Sequence, residues 1–247
     1  PIRSWGWVPM TNPKTTVRWR EFYELKAREQ KFLPAYDEAE VHRVRMVKRL
    51  INNRPVNALD VGCGDGYLCY VLSDELGVKN VVGLDVAASH VRRAQELFPT
   101  LTFLEGSIYN LPFPDNSFDL VLAVEVLEHL EDPAAGLREL TRVSARRVIV
   151  TVPYNEALQK RLCPHCLQEF FLDGHIQRFD KNSLVALARA QGLEPEKAAV
   201  YRPWEERRKV RRLYSPLKRL IFPEDYQSGG WLALSAYKPV GDAVTRE

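Results

Sequence analysis

The stretch NALDVGCGDGYLCYVLSDEL, residues 57 to 76, decides the fold of this chain. Its first residues form a short apolar run, which predicts a buried β-strand ending near Asp60. Glycines follow at positions 62, 64 and 66, and apolar residues then recur at helical spacing from Tyr67. The stretch therefore predicts a strand, a tight glycine-rich turn and a helix.

The same alternation of strand and helix continues toward the C-terminus. Short apolar runs predict further strands, and amphipathic segments between them predict helices. The predicted strands are 57–62, 80–86, 101–107, 118–126, 146–153, 197–204 and 231–239, and the predicted helices are 38–51, 67–76, 89–98, 132–143 and 180–193. Near-continuous apolar strands, each followed by a crossover helix, indicate an α/β fold with a parallel sheet buried on both faces.

Composition sets the broad class of the protein. Of 247 residues 45% are hydrophobic, which is enough for a sizeable core. No apolar run approaches the roughly 20 residues of a membrane span, so we expect no integral membrane segment. The four cysteines do not resemble a disulfide framework, which predicts a reducing, cytoplasmic location. The net charge of +3 is too small to indicate a partner.

The glycine-rich turn predicts a nucleoside-containing ligand. Glycines allow close backbone approach, and Asp85 ends the second strand about 20 residues after the turn, where a carboxylate can bind ribose hydroxyls. The third glycine, Gly66, comes one residue too early for the dinucleotide pattern. Asp60 precedes the first glycine, and its carboxylate would repel a pyrophosphate but suit a cationic amino group. A dehydrogenase is therefore a distant alternative.

The residues after the turn carry a resemblance to a known family. An acidic residue, G-x-G-x-G and an acidic residue closing the second strand are followed by GSIYNLPFPDNSFDLVLAVEVLEHLEDP, residues 106–133. This series, over about residues 57–152, resembles the class I S-adenosylmethionine-dependent methyltransferases of the UbiE/UbiG-like branch (methyltransferase type 11). The resemblance implies a Rossmann-like, seven-stranded α/β/α sandwich with a mostly parallel sheet and an antiparallel last strand.

The resemblance also implies S-adenosyl-L-methionine as the cofactor and a set of residues that bind it. The methionine part would be held by the turn, the ribose by the second strand, the adenine by the segments after the second and third strands, and the methionine end by the fourth strand. The implied residues are Asp60, Gly62 and Gly64 for the methionine part, and Asp85 for the ribose. For the adenine they are Val86, Ser107 and Ile108, and for the methionine end Ala123 and Glu125.

Three segments do not follow the alternating pattern, and they divide the chain into its expected parts. Residues 1–52 are predicted to form a helical N-terminal cover that includes Trp5 and Trp7. Residues 53–247 are predicted to form the methyltransferase domain, with insertions at about 154–179 and 204–230. Because a ligand binds at the carboxyl edge of an open parallel sheet, we expect all three segments to converge there and recognise the substrate.

Two histidines are the candidate catalytic residues, because a positioned base must accept a proton when the methyl acceptor is a hydroxyl. His129 follows the fourth strand and lies near the active edge, and His175 lies in the first insertion. His129 could instead order its loop or cap the following helix. Glu125 and Glu128 could steer a cationic substrate or flank helix turns, and we do not interpret them as a paired-carboxylate site.

The insertion contains CPHC, residues 163–166, which has half the spacing of a structural zinc site. Cys163, Cys166 and His175 are candidate zinc ligands. A fourth ligand would be His165 or Asp173, either of them in a strained geometry. Sequences of this branch with a similar insertion often carry a histidine where Phe171 stands, so zinc is not the favoured interpretation. The favoured interpretation is an apolar cover of the active edge made by Phe170, Phe171 and Phe179. We predict that Cys63 and Cys69 are small core residues.

Positive charge concentrates in the second insertion. Residues 202–219 contain eight Lys or Arg and two Glu. A solvated helix, a site for an anionic substrate such as a phosphorylated glycan or RNA, and a membrane-surface contact all remain open.

The sequence thus predicts methyl transfer to oxygen or nitrogen of a small-molecule or glycan-type substrate. The alternatives are an RNA methyltransferase and a non-catalytic protein that binds the cofactor as a partner subunit. The oligomeric state stays open.

Overall fold

The computed structural model describes residues 19–29, 38–52, 54–165, 167–202 and 230–239. The described strands form a seven-stranded sheet and a separate hairpin. The sheet strands are β1 (Asn57–Val61), β2 (Asn80–Asp85), β3 (Thr102–Glu105), β4 (Phe118–Val124), β5 (Ser144–Pro153), β8 (Glu194–Tyr201) and β9 (Trp231–Tyr237), and the hairpin strands are β6 (Lys160–Leu162) and β7 (Glu169–Phe171). The helices are α1 (Trp19–Glu29), α2 (Glu38–Lys48), α3 (Tyr67–Tyr70), α4 (Ala88–Leu97), α5 (Pro133–Val143) and α6 (Lys181–Ala190).

The strand order confirms the predicted architecture. It runs β3-β2-β1-β4-β5-β9-β8. The pairings among β1 to β5 are parallel, and β9 is antiparallel to both β5 and β8. From β1, successive strands are added first toward β3 on one side and then, starting with β4, on the other side, so the strand order switches direction between β1 and β4. In an open α/β sheet the ligand binds in the crevice beyond the carboxyl ends of the strands at such a switch point.

Helices cover both faces of the sheet, as the apolar strands predict. On one face, α5 and α6 contribute Leu137 and Leu184 to a core that also contains Val121 of β4. On the other face, α2 and α4 contribute Met46 and Val91 to a second core. The molecule is therefore a three-layer α/β/α sandwich, and the sheet edge between the layers remains available for a site.

Local signals place several element ends where the sequence predicts them. Asp132 caps α5, because its Oδ1 accepts a hydrogen bond from the Ala135 amide at 2.9 Å and Pro133 occupies the first turn. Asp180 forms a capping box with Ser183 at the start of α6.

The bounds of several elements differ from the prediction. β4 ends at Val124 and not at residue 126, because Glu125 adopts φ +58° and leaves the extended conformation. The helix after the glycine turn changes at residue 71 into a π-helical turn, Val71–Glu75. β8 is Glu194–Tyr201 and not 197–204; it is an edge strand of the described sheet, where the bulge near Pro195 is tolerated.

The described part of the N-terminal segment is helical and packs on the sheet domain. The Glu24 carboxylate of α1 accepts hydrogen bonds from the Ser89 amide at 3.1 Å and the Ser89 hydroxyl at 3.0 Å, at the start of α4. Val47 of α2 is fully buried in the second core. The division of the chain at residues 52 and 53 remains a prediction, and Trp5 and Trp7 lie outside the described residues. None of the described helices is long and apolar enough to cross a membrane.

Candidate active site

The glycine-rich turn is fixed against the end of β2. The amides of Gly62 and Cys63 both donate to the Leu84 carbonyl, at 2.7 and 3.1 Å. At Gly66, with φ +86°, a Cβ would lie 2.6 Å from the Phe103 ring, so only glycine fits there. At Gly64, with φ +54°, a Cβ would meet no atom of the described residues within 4 Å. The turn is therefore packed on one side and open on the other.

Asp85 is held at the end of β2 by the turn itself. One carboxylate oxygen, Oδ2, accepts from the Gly64 amide at 2.9 Å, and Oδ1 accepts from the Ala87 amide at 2.9 Å. The Nδ1 atom of His90 lies 3.3 Å from Oδ1. The Asp85 carboxylate is thus oriented by backbone donors beside the open side of the turn.

Asp60, on the other side of the turn, is a buried carboxyl group with one hydrogen-bond donor among the described residues. Its Oδ2 accepts from the Cys69 thiol at 3.6 Å, while Oδ1 is buried and has no hydrogen-bond partner among the described residues. Burial raises the pKa of Asp60 to about 7, the thiol opposes that rise, and the charges of Glu40 and Asp85 add to it. A cationic ligand group at Oδ1 would supply the missing partner.

The remaining predicted cofactor residues differ in their exposure. Val86 is half-buried, and the Ser107 hydroxyl accepts from the Tyr109 amide at 3.3 Å. Ile108 and Ala123 are buried in the first core. Because the Ala123 side chain is enclosed, it can meet a ligand only through its backbone.

A half-buried carboxyl group, Glu125, and a buried one, Glu128, follow β4. Glu125 accepts from the Thr151 hydroxyl at 2.8 Å, and its left-handed backbone is strained for a residue with a side chain. Burial raises the pKa of Glu125 to about 7, a rise that the Thr151 hydrogen bond opposes. Burial, followed by the charge of Glu125, raises the pKa of Glu128. The two carboxyls therefore influence each other, a coupling that the sequence did not indicate.

His129 and His175 come together at this edge of the sheet. Their ring centroids are 4.7 Å apart. The Nδ1 atom of His129 lies 3.0 Å from the Gly174 carbonyl oxygen, and Nδ1 of His175 contacts the Glu156 carboxylate. Both rings are thus oriented through Nδ1 by acceptors from the first insertion.

Tyr23 of α1 completes this edge. Its ring packs edge-on against His129, with centroids 5.4 Å apart. Burial raises its pKa, and the charges of Glu128 and Asp85 raise it further. Tyr23 therefore packs beside the histidine pair, and the N-terminal segment and the first insertion meet there, as predicted.

The structure corrects the predicted apolar cover. Phe179 is buried in the first core, and Phe170 is 49% exposed on the hairpin. Phe171 lies beneath the Lys160 ammonium, 5.2 Å from its ring centroid. The cover is wrong because Phe179 forms a bridge with Tyr154 at the end of β5 and is buried in the core, while β6 and β7 form a separate two-stranded sheet.

The predicted zinc set is also not brought together among the described residues. Cys163 lies at the hairpin turn, where its amide donates to the Gln168 carbonyl at 2.9 Å. His175 instead clusters with Glu128 and His129, and Cys163 does not belong to that cluster. Cys166 lies outside the described residues.

The second insertion begins and ends at the same edge of the sheet. The Tyr154 amide donates to the Gly230 carbonyl at 2.9 Å, and the Arg202 guanidinium lies 5.6 Å from the Tyr154 ring centroid. Residues 203–229 lie outside the described residues, and they include all the Lys and Arg of residues 202–219 except Arg202.

Sequence reasoning missed three residues of this site. Cys69 is buried, as predicted, but it also donates to Asp60. Tyr23 and Glu156 gave only the weak signal of lying in segments that interrupt the alternating pattern. Their contacts depend on how distant segments pack, which residue spacing does not reveal.

Comparison with known proteins identifies one domain of the chain. A family model described as a methyltransferase domain matches residues 59–150. Over these residues the chain is similar to S-adenosylmethionine-dependent methyltransferases, and the seven-stranded sheet has the class I methyltransferase fold. The cofactor of this class is S-adenosylmethionine, and the unpartnered Asp60 oxygen and the open side of the turn fit a ligand with a cationic amino group. Membership of the UbiE/UbiG-like branch remains an expectation.

Similar proteins support this assignment over part of their length. Norajmaline N-methyltransferase from Rauvolfia serpentina is 35% identical over 100 residues, which cover 38% of this chain and 34% of that protein. The 2-methyl-6-phytyl-1,4-hydroquinone methyltransferase from Synechocystis is 38% identical over 102 residues, 40% of this chain and 32% of that protein. This methyltransferase chain thus matches about a third of the length of these curated relatives.

The fold extends beyond the matched region. The crystal structure of magnesium protoporphyrin IX methyltransferase from Synechocystis, with bound S-adenosylmethionine, has a TM-score of 0.59 at 16% identity. The likeness covers 90% of this chain and 95% of that one. At this level of identity it shows the fold alone.

Proposed function

We propose that this protein transfers a methyl group from S-adenosylmethionine to an oxygen or nitrogen of a small-molecule or glycan-type substrate. One observation carries the proposal. At the strand-order reversal, the buried Asp60 oxygen without a described partner and the oriented Asp85 carboxylate flank a glycine turn with one open side. S-adenosylmethionine supplies a methyl group activated by a sulfonium centre.

The binding roles proposed for the residues follow from charge and position. Asp60 binds the cationic amino group, and Asp85 binds the ribose hydroxyls. The other proposed contacts are the turn backbone at Gly62 and Gly64, the adenine contacts Val86, Ser107 and Ile108, and the methionine-end contacts Ala123 and Glu125.

Proton transfer is the task we propose for the histidine pair. A carbonyl oxygen accepts from Nδ1 of His129, which leaves the lone pair on Nε2. That nitrogen can accept a proton from a hydroxyl acceptor. The Tyr23 ring packs edge-on against the His129 ring and helps to fix its position. Correct placement of the acceptor behind the methyl group then provides most of the rate.

The experiment is incubation of the full chain with methyl-labelled S-adenosylmethionine and fractionated metabolite, glycan and RNA pools. We expect label in the metabolite or glycan fractions, and the Asp60→Asn variant serves as the binding-deficient control. Label in RNA alone would replace the proposed substrate class with RNA, which the eight basic residues of 202–219 favour. Cofactor binding without label in any pool would support a non-catalytic role.

A further inference from the structure

Three side chains near the active edge are arranged as metal ligands. One ligand atom each from Glu128, His129 and His175 lies within 4.8 Å of the other two. Metal–ligand bonds of about 2.0–2.2 Å at tetrahedral angles place two ligands of one ion about 3.3–3.6 Å apart. Each pair of ligand atoms therefore needs to approach by at most about 1.5 Å to bind one ion.

Both imidazoles have the orientation that metal-bound histidines use. Nδ1 of His129 faces the Gly174 carbonyl oxygen at 3.0 Å, and Nδ1 of His175 faces the Glu156 carboxylate. These oxygens only accept hydrogen bonds, so each Nδ1 carries the proton and each Nε2 carries the lone pair. Outer acceptors of this kind fix the tautomer and make the imidazole a better ligand.

Glu128 supplies an independent indication of a missing ligand. Its side chain is 1% exposed, and neither carboxylate oxygen has a hydrogen-bond partner among the described residues. Its Oε1 lies 3.9 Å from Nε2 of His129, too far for a hydrogen bond. A cation between these atoms would compensate a buried carboxylate that is otherwise unsatisfied.

The backbone holds the ligands in place before any ion binds. The Glu128 carbonyl accepts from the amides of Ile176 and Gln177, at 2.9 and 3.0 Å. The turn that carries Glu128 and His129 is thereby tied to the loop that follows His175. A site held by its own backbone loses little freedom on binding.

We propose that Glu128, His129 and His175 bind one divalent transition-metal ion. Two imidazole nitrogens and one carboxylate oxygen suit zinc, iron, manganese or cobalt. Three protein ligands leave coordination positions for water or an oxygen of another molecule. Tyr23 packs edge-on against the His129 ring. With an ion bound, the two histidines assist proton transfer through the ion, and His129 acts as the direct base proposed above only in the ion-free chain.

The site has a consequence for the substrate, and this step rests on the proposed function. An acceptor with a hydroxyl, phenol or phosphate oxygen would occupy an open position of the ion. The ion would lower the pKa of a bound hydroxyl, whose proton would pass to solvent water while its oxygen takes the methyl group.

The test is a titration of the metal-stripped full chain with Co²⁺, followed by visible absorption and by calorimetry. We expect one ion per chain and no thiolate-to-cobalt charge-transfer band, since the ligands are nitrogen and oxygen. His175→Ala and Glu128→Gln should each weaken binding at least about tenfold. His165→Ala, at an exposed residue of the hairpin turn, is the matched control and should bind as the wild type does.

Two further measurements test the folding of the variants and the metal site independently. Circular dichroism checks that the variants fold, and a rise in the wild-type melting temperature with Zn²⁺ that His175→Ala lacks would support the site independently. Less than one-tenth of an ion per chain, or binding lost in Cys163→Ser but kept in His175→Ala, would overturn the proposal. Affinity for S-adenosylhomocysteine, measured in parallel, separates this failure from a failure of the proposed function.

Discussion

Asp60→Asn should change stability and cofactor affinity in opposite directions. In the folded protein burial raises the Asp60 pKa from 3.8 to about 7. One pKa unit corresponds to about 1.4 kcal/mol, so ionised Asp60 opposes folding by on the order of 4 kcal/mol above pH 7. Asparagine removes this cost. It also removes the charge that we propose binds the amino group of the cofactor.

The sign of the pH dependence follows from the raised pKa. Between about pH 4 and pH 7 the folded protein holds the Asp60 proton and the unfolded chain releases it. The contribution of Asp60 to the free energy of unfolding therefore falls as pH rises through this window. We expect the stability advantage of Asp60→Asn over wild type to grow by about 2–3 kcal/mol between pH 5 and pH 8.

The assay is urea unfolding of the wild type and the variant at both pH values, with calorimetric titration of S-adenosylhomocysteine at pH 8. Affinity should fall by about 10- to 1,000-fold, because a buried charge loses its partner. Asp74→Asn, on the exposed part of the π-helical turn, is the control and should change neither quantity. A variant that binds normally, or whose stability advantage does not change with pH, would refute this role of Asp60.

Three substitutions test the glycine turn and a helix cap. Gly66→Ala should lower the free energy of unfolding by more than about 2 kcal/mol in urea denaturation, because its Cβ meets the Phe103 ring at 2.6 Å; a near-neutral result would contradict this packing. Gly64→Ala should lower the free energy of unfolding by only about 1 kcal/mol through backbone strain, but it should weaken S-adenosylhomocysteine binding. The control Gly77→Ala, also at positive φ and with no described atom near its Cβ, should show the strain alone. Equal binding by both variants would place the ligand elsewhere. Asp132→Ala should lower the melting temperature through loss of about 1 kcal/mol of capping, and an unchanged value would argue against the Ala135 hydrogen bond.

The sheet was predictable because its signals are local. Residues 57–76 carry the local patterns of a strand, a turn and a helix in that order, and Asp132 with Pro133 marks the start of α5. The antiparallel position of β9 came from the family resemblance and is confirmed. The early end of β4 was not predictable, because the left-handed conformation of Glu125 depends on its contacts with Thr151.

The site was predictable only where sequence neighbours form it. Asp60 and Asp85 flank the turn in sequence and in space, and Gly64 joins them through its amide. The pairing of His129 with His175 requires the loop after the hairpin to return to β4, and Tyr23 reaches the site from a different segment. The apolar cover was wrong for the same reason, since residue spacing does not show where an insertion turns back to the sheet.

Calorimetric titration with S-adenosylhomocysteine tests the central assignment most directly. We expect one molecule to bind per chain, and Asp85→Ala to weaken binding by about 1–3 kcal/mol through lost hydrogen bonds to the ribose. Absence of binding to the folded wild-type protein, or the same affinity in Asp85→Ala, would contradict the assignment of the glycine turn as the cofactor site.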